Sequence, residues 1–143
     1  MNIAPAKPAS RDIATGNDIG VLVNRFYRAA IPDPLLGPVF DRFGVDWASH
    51  LSKLRAYWEH VLLDRPAIAS NMIGVHGAVR EVVPFGQEHI IRWIELWEAT
   101  VDGLFVGPVA ELAKTRVRYV GRALQAVARR GRRESAAHEV GTT

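Results

Sequence analysis

Four times along this chain, apolar residues recur at steps of three and four. The first stretch is Ile19, Leu22, Val23, Phe26, Tyr27 and Ala30, and the second is Trp47, Leu51, Leu54, Trp58, Val61 and Leu62. The third runs through Ile90, Trp93, Ile94, Trp97, Val101, Leu104 and Phe105, and the fourth through Val109, Leu112, Ala113, Val117, Val120, Leu124 and Val127. Such spacing draws one apolar stripe along a helix, and a stripe of that kind is stable only against other helices. No run alternates apolar and polar residues with β-branched enrichment, and no segment repeats at a period of about 20–50 residues. The expected class is all-α, with four substantial helices and some short ones.

The interruptions constrain the arrangement further. IPDPLLGPVF, from Ile31 to Phe40, has three prolines and a glycine, which forbid a long regular element. Its Leu35, Leu36, Val39 and Phe40 are too densely apolar for a free loop, so a packed corner is expected. Residues 64–86 contain Pro66, Gly74, Gly77, Pro84 and Gly86, which leave room for at most one or two short helical turns. An up-down bundle has short regular loops, whereas a long broken connection in a compact domain usually serves function. Something is expected to occupy the space it encloses.

Asp18 and Asp46 stand where helix caps belong, and Gly107-Pro108 separates the last two stripes. A length of 143 residues suits one domain. Residues 1–17 read as a flexible leader, 18–130 as the domain and 131–143 as a flexible tail.

The apolar content of 48% is that of a globular chain, yet no apolar run reaches the roughly 18–20 residues that cross a bilayer. The first residues lack the apolar stretch of a secretory signal, so a soluble, cytoplasmic protein is expected. The absence of cysteine excludes disulfides, thiolate-bound zinc, thiolate-bound iron–sulfur clusters and a cysteine nucleophile. Any metal chemistry must use histidine or carboxylate. The formal charge of +3 is concentrated in RRGRR at 129–133, which reads as a solvated helix end rather than a nucleic-acid site, and neither nucleic acid nor membrane is expected as a partner.

Three polar-tipped residues lie on the core stripes. His50 shares a helix face with Trp47, Leu51, Leu54 and Trp58, Tyr27 stands beside Phe26, and Trp93 lies on the third stripe. Each alone reads as an ordinary core residue whose polar atom finds a local partner; together they give one interior three hydrogen-bonding groups. Trp97, four residues beyond Trp93, is expected to keep part of its ring exposed. His76, in MIGVHGAV, has only apolar neighbours and needs a hydrogen bond or a metal. Zinc fits poorly, because no closely spaced histidine pair and no cysteine supply the other ligands. Haem iron needs one protein ligand on one side.

FYRAAIPDPLLGPVF at 26–40, DWASHLSKLRAYWEHVLL at 46–63, the isolated His76 and HIIRWIELWEAT at 89–100 together resemble the truncated hemoglobins, and among them group III. The resemblance covers roughly residues 18–128. It implies a shortened globin fold, a two-over-two helical sandwich around haem b (iron protoporphyrin IX). By position, His76 then looks like the proximal iron ligand. Tyr27, His50 and Trp93 look like the distal groups facing a bound gas, and Phe40, Leu54, Met72 and Lys53 like further haem contacts, with Lys53 toward a propionate. Before His76 the family has YxGxPM where this chain reads AIASNM, keeping Met72, so His89 stays open as an alternative ligand, although it opens a helix whose core stripe starts at Ile90.

The activity so implied is binding of O₂, with NO and CO, at a five-coordinate iron beside a polar pocket, and turnover by NO dioxygenation or peroxide reduction. The alternative is a gas or haem sensor or store without turnover. No G-x-G-x-x-G fingerprint for a flavin or nicotinamide is present, so an enzyme of this kind needs a separate reductase.

Overall fold

A computed structural model describes the backbone of residues 9–44, 46–65 and 86–140, and their side chains apart from residues 42, 43 and 127–140. Five helices form in this order: α1 (Gly16–Ala30), α2 (Gly37–Phe43), α3 (Trp47–Leu63), α4 (Gln87–Leu104) and α5 (Pro108–Val140). The described residues contain no strand, in agreement with the all-α expectation. No helix among them is long and apolar enough to cross a membrane. The broken stretch around His76 lies, from residue 66 to 85, outside the described residues.

α1 starts three residues earlier than a cap at Asp18 implies, and its cap is different. Thr15 is the N-cap and accepts the Asp18 N–H, while the Asp18 carboxylate accepts the backbone N–H of Thr15 and Ala14. Asp18 is therefore the third residue of a capping box rather than the cap itself. Its carboxylate is also gripped by Arg11, at 2.6 and 3.0 Å. The expected boundary at residue 17 thus falls inside α1, and the residues before it are engaged: Ile13 is buried, and the Asp12 carboxylate accepts the N–H groups of Val109 and Ala110 at 2.9 and 2.8 Å.

Those N–H groups are the unpaired donors of the first turn of α5, so a residue distant in sequence caps the longest helix, at a worth of about 1 kcal/mol. Gly107 makes the approach possible: its φ is +141°, and a Cβ there would stand 2.5 Å from the Asp12 carboxyl carbon. α5 then runs 33 residues without interruption, about 50 Å, and carries its helical backbone through residues 129–133 to Val140.

The proline-rich corner is closed by Asp33. Its Oδ1 accepts the Leu35 and Leu36 N–H groups at 3.0 Å each, and its Oδ2 receives Arg92 Nε of α4 at 2.8 Å. The corner then continues into α2, which ends at Gly44 in the left-handed region. Asp46 occupies the N-cap of α3 as expected, without a side-chain bond to the helix.

α1 pairs with α3 and α4 with α5, and α1 also packs on α4 to join the pairs. All six apolar residues read on the first stripe are buried. On the fourth stripe Ala113, Val117, Val120 and Leu124 are buried, but Leu112 faces solvent and Ala110 takes its place in the core. Gly121 lets α4 come close, since a Cβ there would meet Ile94 Cδ1 at 2.7 Å. At the centre, Trp58 of α3 stacks on Trp97 of α4 with centroids 4.5 Å apart and planes 21° from parallel, and Phe26 of α1 meets Trp97 edge-on at 5.4 Å. Trp97 is 2% exposed, so the expected exposed part of its ring is corrected: the ring fills the junction of the two pairs.

Hydrogen bonds from Arg11 hold the Asp18 carboxyl well below the usual carboxylate range, against the opposing effect of burial. For Asp12 and Asp33 burial is the larger single influence and opposes ionisation, but their combined hydrogen bonds win and lower both. A carboxyl lowered on folding contributes stability above its unfolded value near 3.9 and loses it as pH falls toward the folded value. Thermal melts followed by circular dichroism should therefore drop steeply below about pH 4, and Asp18→Asn should flatten that acid limb while lowering the midpoint at neutral pH. Superimposable melts of the two proteins across this range contradict the assignment.

Candidate functional site

The Tyr27 hydroxyl, at the inner end of the α1 stripe, needs a partner because the residue is 6% exposed. It finds one on α3, where His50 Nε2 lies 3.1 Å from the hydroxyl oxygen. Two arrangements satisfy this distance. Either Tyr27 donates to an unprotonated Nε2, or a protonated Nε2 donates to the phenol oxygen and leaves the Tyr27 O–H to point elsewhere. Burial pushes the Tyr27 phenol well above its ordinary value, so it stays protonated and remains a donor.

Aromatic rings wall in this pair. Trp47 meets Tyr27 edge-on at 5.2 Å and His50 at 5.9 Å, and Phe40 of α2 meets Tyr27 at 5.8 Å and Trp47 at 5.3 Å. The packed corner therefore brings Phe40 to the site. Negative ring faces and positive ring edges make such T-shaped contacts favourable, by about 0.5–1.5 kcal/mol each.

Behind the pair is a cavity of about 20 Å³, room for roughly one water-sized molecule. Tyr27, Leu54, Trp93, Trp58 and Trp97 line it, with Val23, Phe26, Tyr57 and Val120. Tyr27, Leu54 and Trp93 thus meet at one space, and His50 reaches it through Tyr27. Lys53 lies on the exposed side of α3, away from the buried Leu54. His76 and Met72 lie outside the described residues.

His89 is the alternative ligand that the sequence leaves open. It is buried, and its Nδ1 accepts the Gly86 N–H at 2.9 Å as part of the cap of α4. With Nδ1 so engaged, the proton of a neutral ring sits on Nε2, and neither nitrogen has a lone pair for a metal. Its place is explained by the helix start.

Tyr57 is a lining residue that the sequence reading passed over. Its hydroxyl oxygen accepts Arg116 Nε of α5 at 3.2 Å. The signal was there: Tyr57 follows His50 by seven residues and Leu54 by three, the spacing of one helix face. Trp58 next to it had already satisfied the apolar stripe.

The chain matches no family model and no curated protein sequence. Its structure is similar to the crystal structure of a group III truncated hemoglobin from Campylobacter jejuni, with a TM-score of 0.69 and 22% sequence identity, over 80% of this chain and 91% of that one. The chain therefore has the truncated globin fold, which the resemblance of its sequence words implies.

The Tyr27–His50 contact predicts an asymmetry. His50→Ala strands a buried hydroxyl and should cost about 1–3 kcal/mol, whereas Tyr27→Phe leaves a half-buried imidazole that water can reach and should cost less. Urea unfolding of both variants measures this; equal losses, or a larger one for Tyr27→Phe, contradict the contact.

Proposed function

We propose that this protein holds haem b and binds a diatomic gas, O₂ foremost with NO and CO, in the space beside Tyr27 and Trp93. The observation that carries the reading is the Tyr27–His50 pair beside a small cavity that Tyr27 lines, within a truncated globin fold. The residues present fit the group. Phe40, Leu54 and Trp93 offer apolar and aromatic surface that suits one side of a flat ring, and the space of about 20 Å³ beside Tyr27 suits a small ligand rather than the ring itself. His76 is the proposed iron ligand, with Phe40, Leu54 and Met72 as apolar contacts and Lys53 as a partner for a propionate.

Haem, when bound, supplies an iron centre that takes up the gas and shifts electron density onto it. The chain then supplies donors. With His50 in the Nε2–H form donating to the Tyr27 oxygen, the Tyr27 O–H is directed away from His50 and toward the cavity. His50 thus sets the direction of the Tyr27 proton, and the high affinity of the phenol for that proton keeps it a donor. The Trp93 indole, on the same wall, is a second donor. A charge-assisted bond is worth about 1.5–3 kcal/mol. That favours retention of a polarised gas and its further reaction, NO dioxygenation or peroxide reduction, with electrons from a separate reductase.

The optical spectrum tests cofactor and ligand together. Purified chain supplied with hemin should show a strong haem band, and dithionite with CO should shift it; His76→Ala should lose the axial bond and most of the bound haem. A colourless chain that refuses hemin defeats the reading, and an unchanged axial bond in His76→Ala removes that residue from it. Tyr27→Phe should raise the O₂ dissociation rate by about tenfold or more, the equivalent of one charge-assisted bond. An unchanged rate in stopped-flow displacement takes the tyrosine out of the mechanism.

A further inference from the structure

The lining of the cavity is unusual in kind. Five of its residues, Tyr27, Trp93, Trp97, Trp58 and Tyr57, have rings that lose an electron more readily than any other uncharged side chain of the cysteine-free chain. They do not stop at the cavity. Trp97 stacks on Trp58 at 4.5 Å, and Trp58 meets Tyr57 at 5.3 Å. The Tyr57 oxygen is bonded to Arg116, whose guanidinium carbon lies 4.9 Å over the centre of the Tyr119 ring. Tyr119 is 55% exposed. A continuous row of contacts therefore joins the cavity to one surface phenol.

We propose that this row is an oxidation route, along which Tyr119 at the surface supplies electrons to peroxide reduced at the cavity. The route rests on the haem reading above and extends it, because it names where the electrons enter and from what class of donor. A space of about 20 Å³ suits a small molecule better than a bulky organic reductant. For a donor held at the protein surface, electrons then cross the protein. Electron transfer slows exponentially with distance, so short steps outrun one long jump: between touching rings from Trp97 to Tyr57, then from Tyr57 to Tyr119 across the Arg116 guanidinium that contacts both.

The chemistry of each ring suits its place in the row. The Trp97 indole N–H donates to the buried Ala113 carbonyl at 3.2 Å, which is no base, so Trp97 passes charge without losing a proton. A tyrosine gives up electron and proton together, and its net charge does not change. The nearby Arg116 therefore does not oppose oxidation of Tyr119, and water is at hand to take the proton. Once there, the oxidised site is a neutral phenoxyl that has lost its proton to solvent, which holds it at the surface.

The balance closes with peroxide as the oxidant. One hydrogen peroxide becomes two waters by taking up two electrons and two protons. Two Tyr119 phenols, one on each of two chains, each give one electron and one proton. The phenoxyls join by a carbon–carbon bond ortho to their oxygens, and the ring hydrogens displaced there return to the oxygens, so the sum is one dityrosine and two waters. A small phenol in solution, oxidised at Tyr119, takes the place of the second chain.

Chain reconstituted with hemin, its haem band verified, is mixed with one equivalent of hydrogen peroxide and analysed by denaturing gel and peptide mass mapping. The expected result is a covalent dimer linked through Tyr119. Tyr119→Phe should lose the dimer with its haem band intact, and Trp58→Phe should lower the yield several-fold; the haem band and circular dichroism report whether each variant is folded. If Trp58→Phe is misfolded, Tyr57→Phe serves as the second break in the row. Peroxide consumed with Tyr119 unmodified, or a dimer equally abundant in Tyr119→Phe, overturns the route and leaves the haem reading standing. A chain that takes up no haem overturns both.

Discussion

The stack of Trp58 on Trp97 is the contact on which the remaining architecture depends. It is where α3 of one helix pair meets α4 of the other, and Phe26 of α1 closes against it edge-on. All three rings are buried to within a few per cent. Aromatic side chains of this size bury 150–250 Å² each by general experience, about 4–6 kcal/mol of apolar transfer per ring at 25 cal/mol/Å². The small cavity lies beside these rings, between α1, α3, α4 and Val120 of α5. Fold and site thus share one wall, and a change at Trp58 or Trp97 acts on both.

Polar groups enter this interior only where each is answered. Tyr27 is answered by His50, the Trp97 indole by the Ala113 carbonyl, His89 by the Gly86 N–H, and no buried side-chain nitrogen or oxygen among the described residues lacks a partner. Three carboxylates do the equivalent work at the edges. Asp18 holds Arg11 and the start of α1, Asp12 caps α5, and Asp33 folds the proline corner and receives Arg92. In each case a charge with several hydrogen bonds replaces a length of regular backbone, which lets short non-helical segments pack against the helix ends. The Tyr27–His50 pair differs from these in having two tautomeric solutions.

Much of this was legible along the chain. The period of three and four residues marked the helices and their buried faces, because helix geometry depends on sequence-local hydrogen bonds. Pro32, Pro34 and Pro38 marked the corner for the same reason, each fixing its own backbone. Tyr27, His50 and Trp93 could be singled out as polar tips on apolar stripes. The misreadings have a common origin. Asp18 stands where a cap is expected, but Thr15, three residues before it, caps α1 and the Asp18 carboxylate folds back. The role of Asp12 toward α5 could not be read at all, as nothing near residue 12 reports on the N-H groups of residues 109 and 110.

By itself, then, the sequence determined an all-α chain, the faces its helices bury, the breaks between them, and the aromatic and histidine groups from which a site is built. Only the tertiary structure decided that Tyr27 meets His50, that Phe40 and Trp47 enclose them, and that Tyr57 and Arg116 carry the row of rings to Tyr119. Local hydrogen bonding sets which way a side chain leaves its helix, but which partner it faces depends on how two stripes interlock, and that is settled by the shapes of rings such as Trp58 and Trp97 when the helices close on one another.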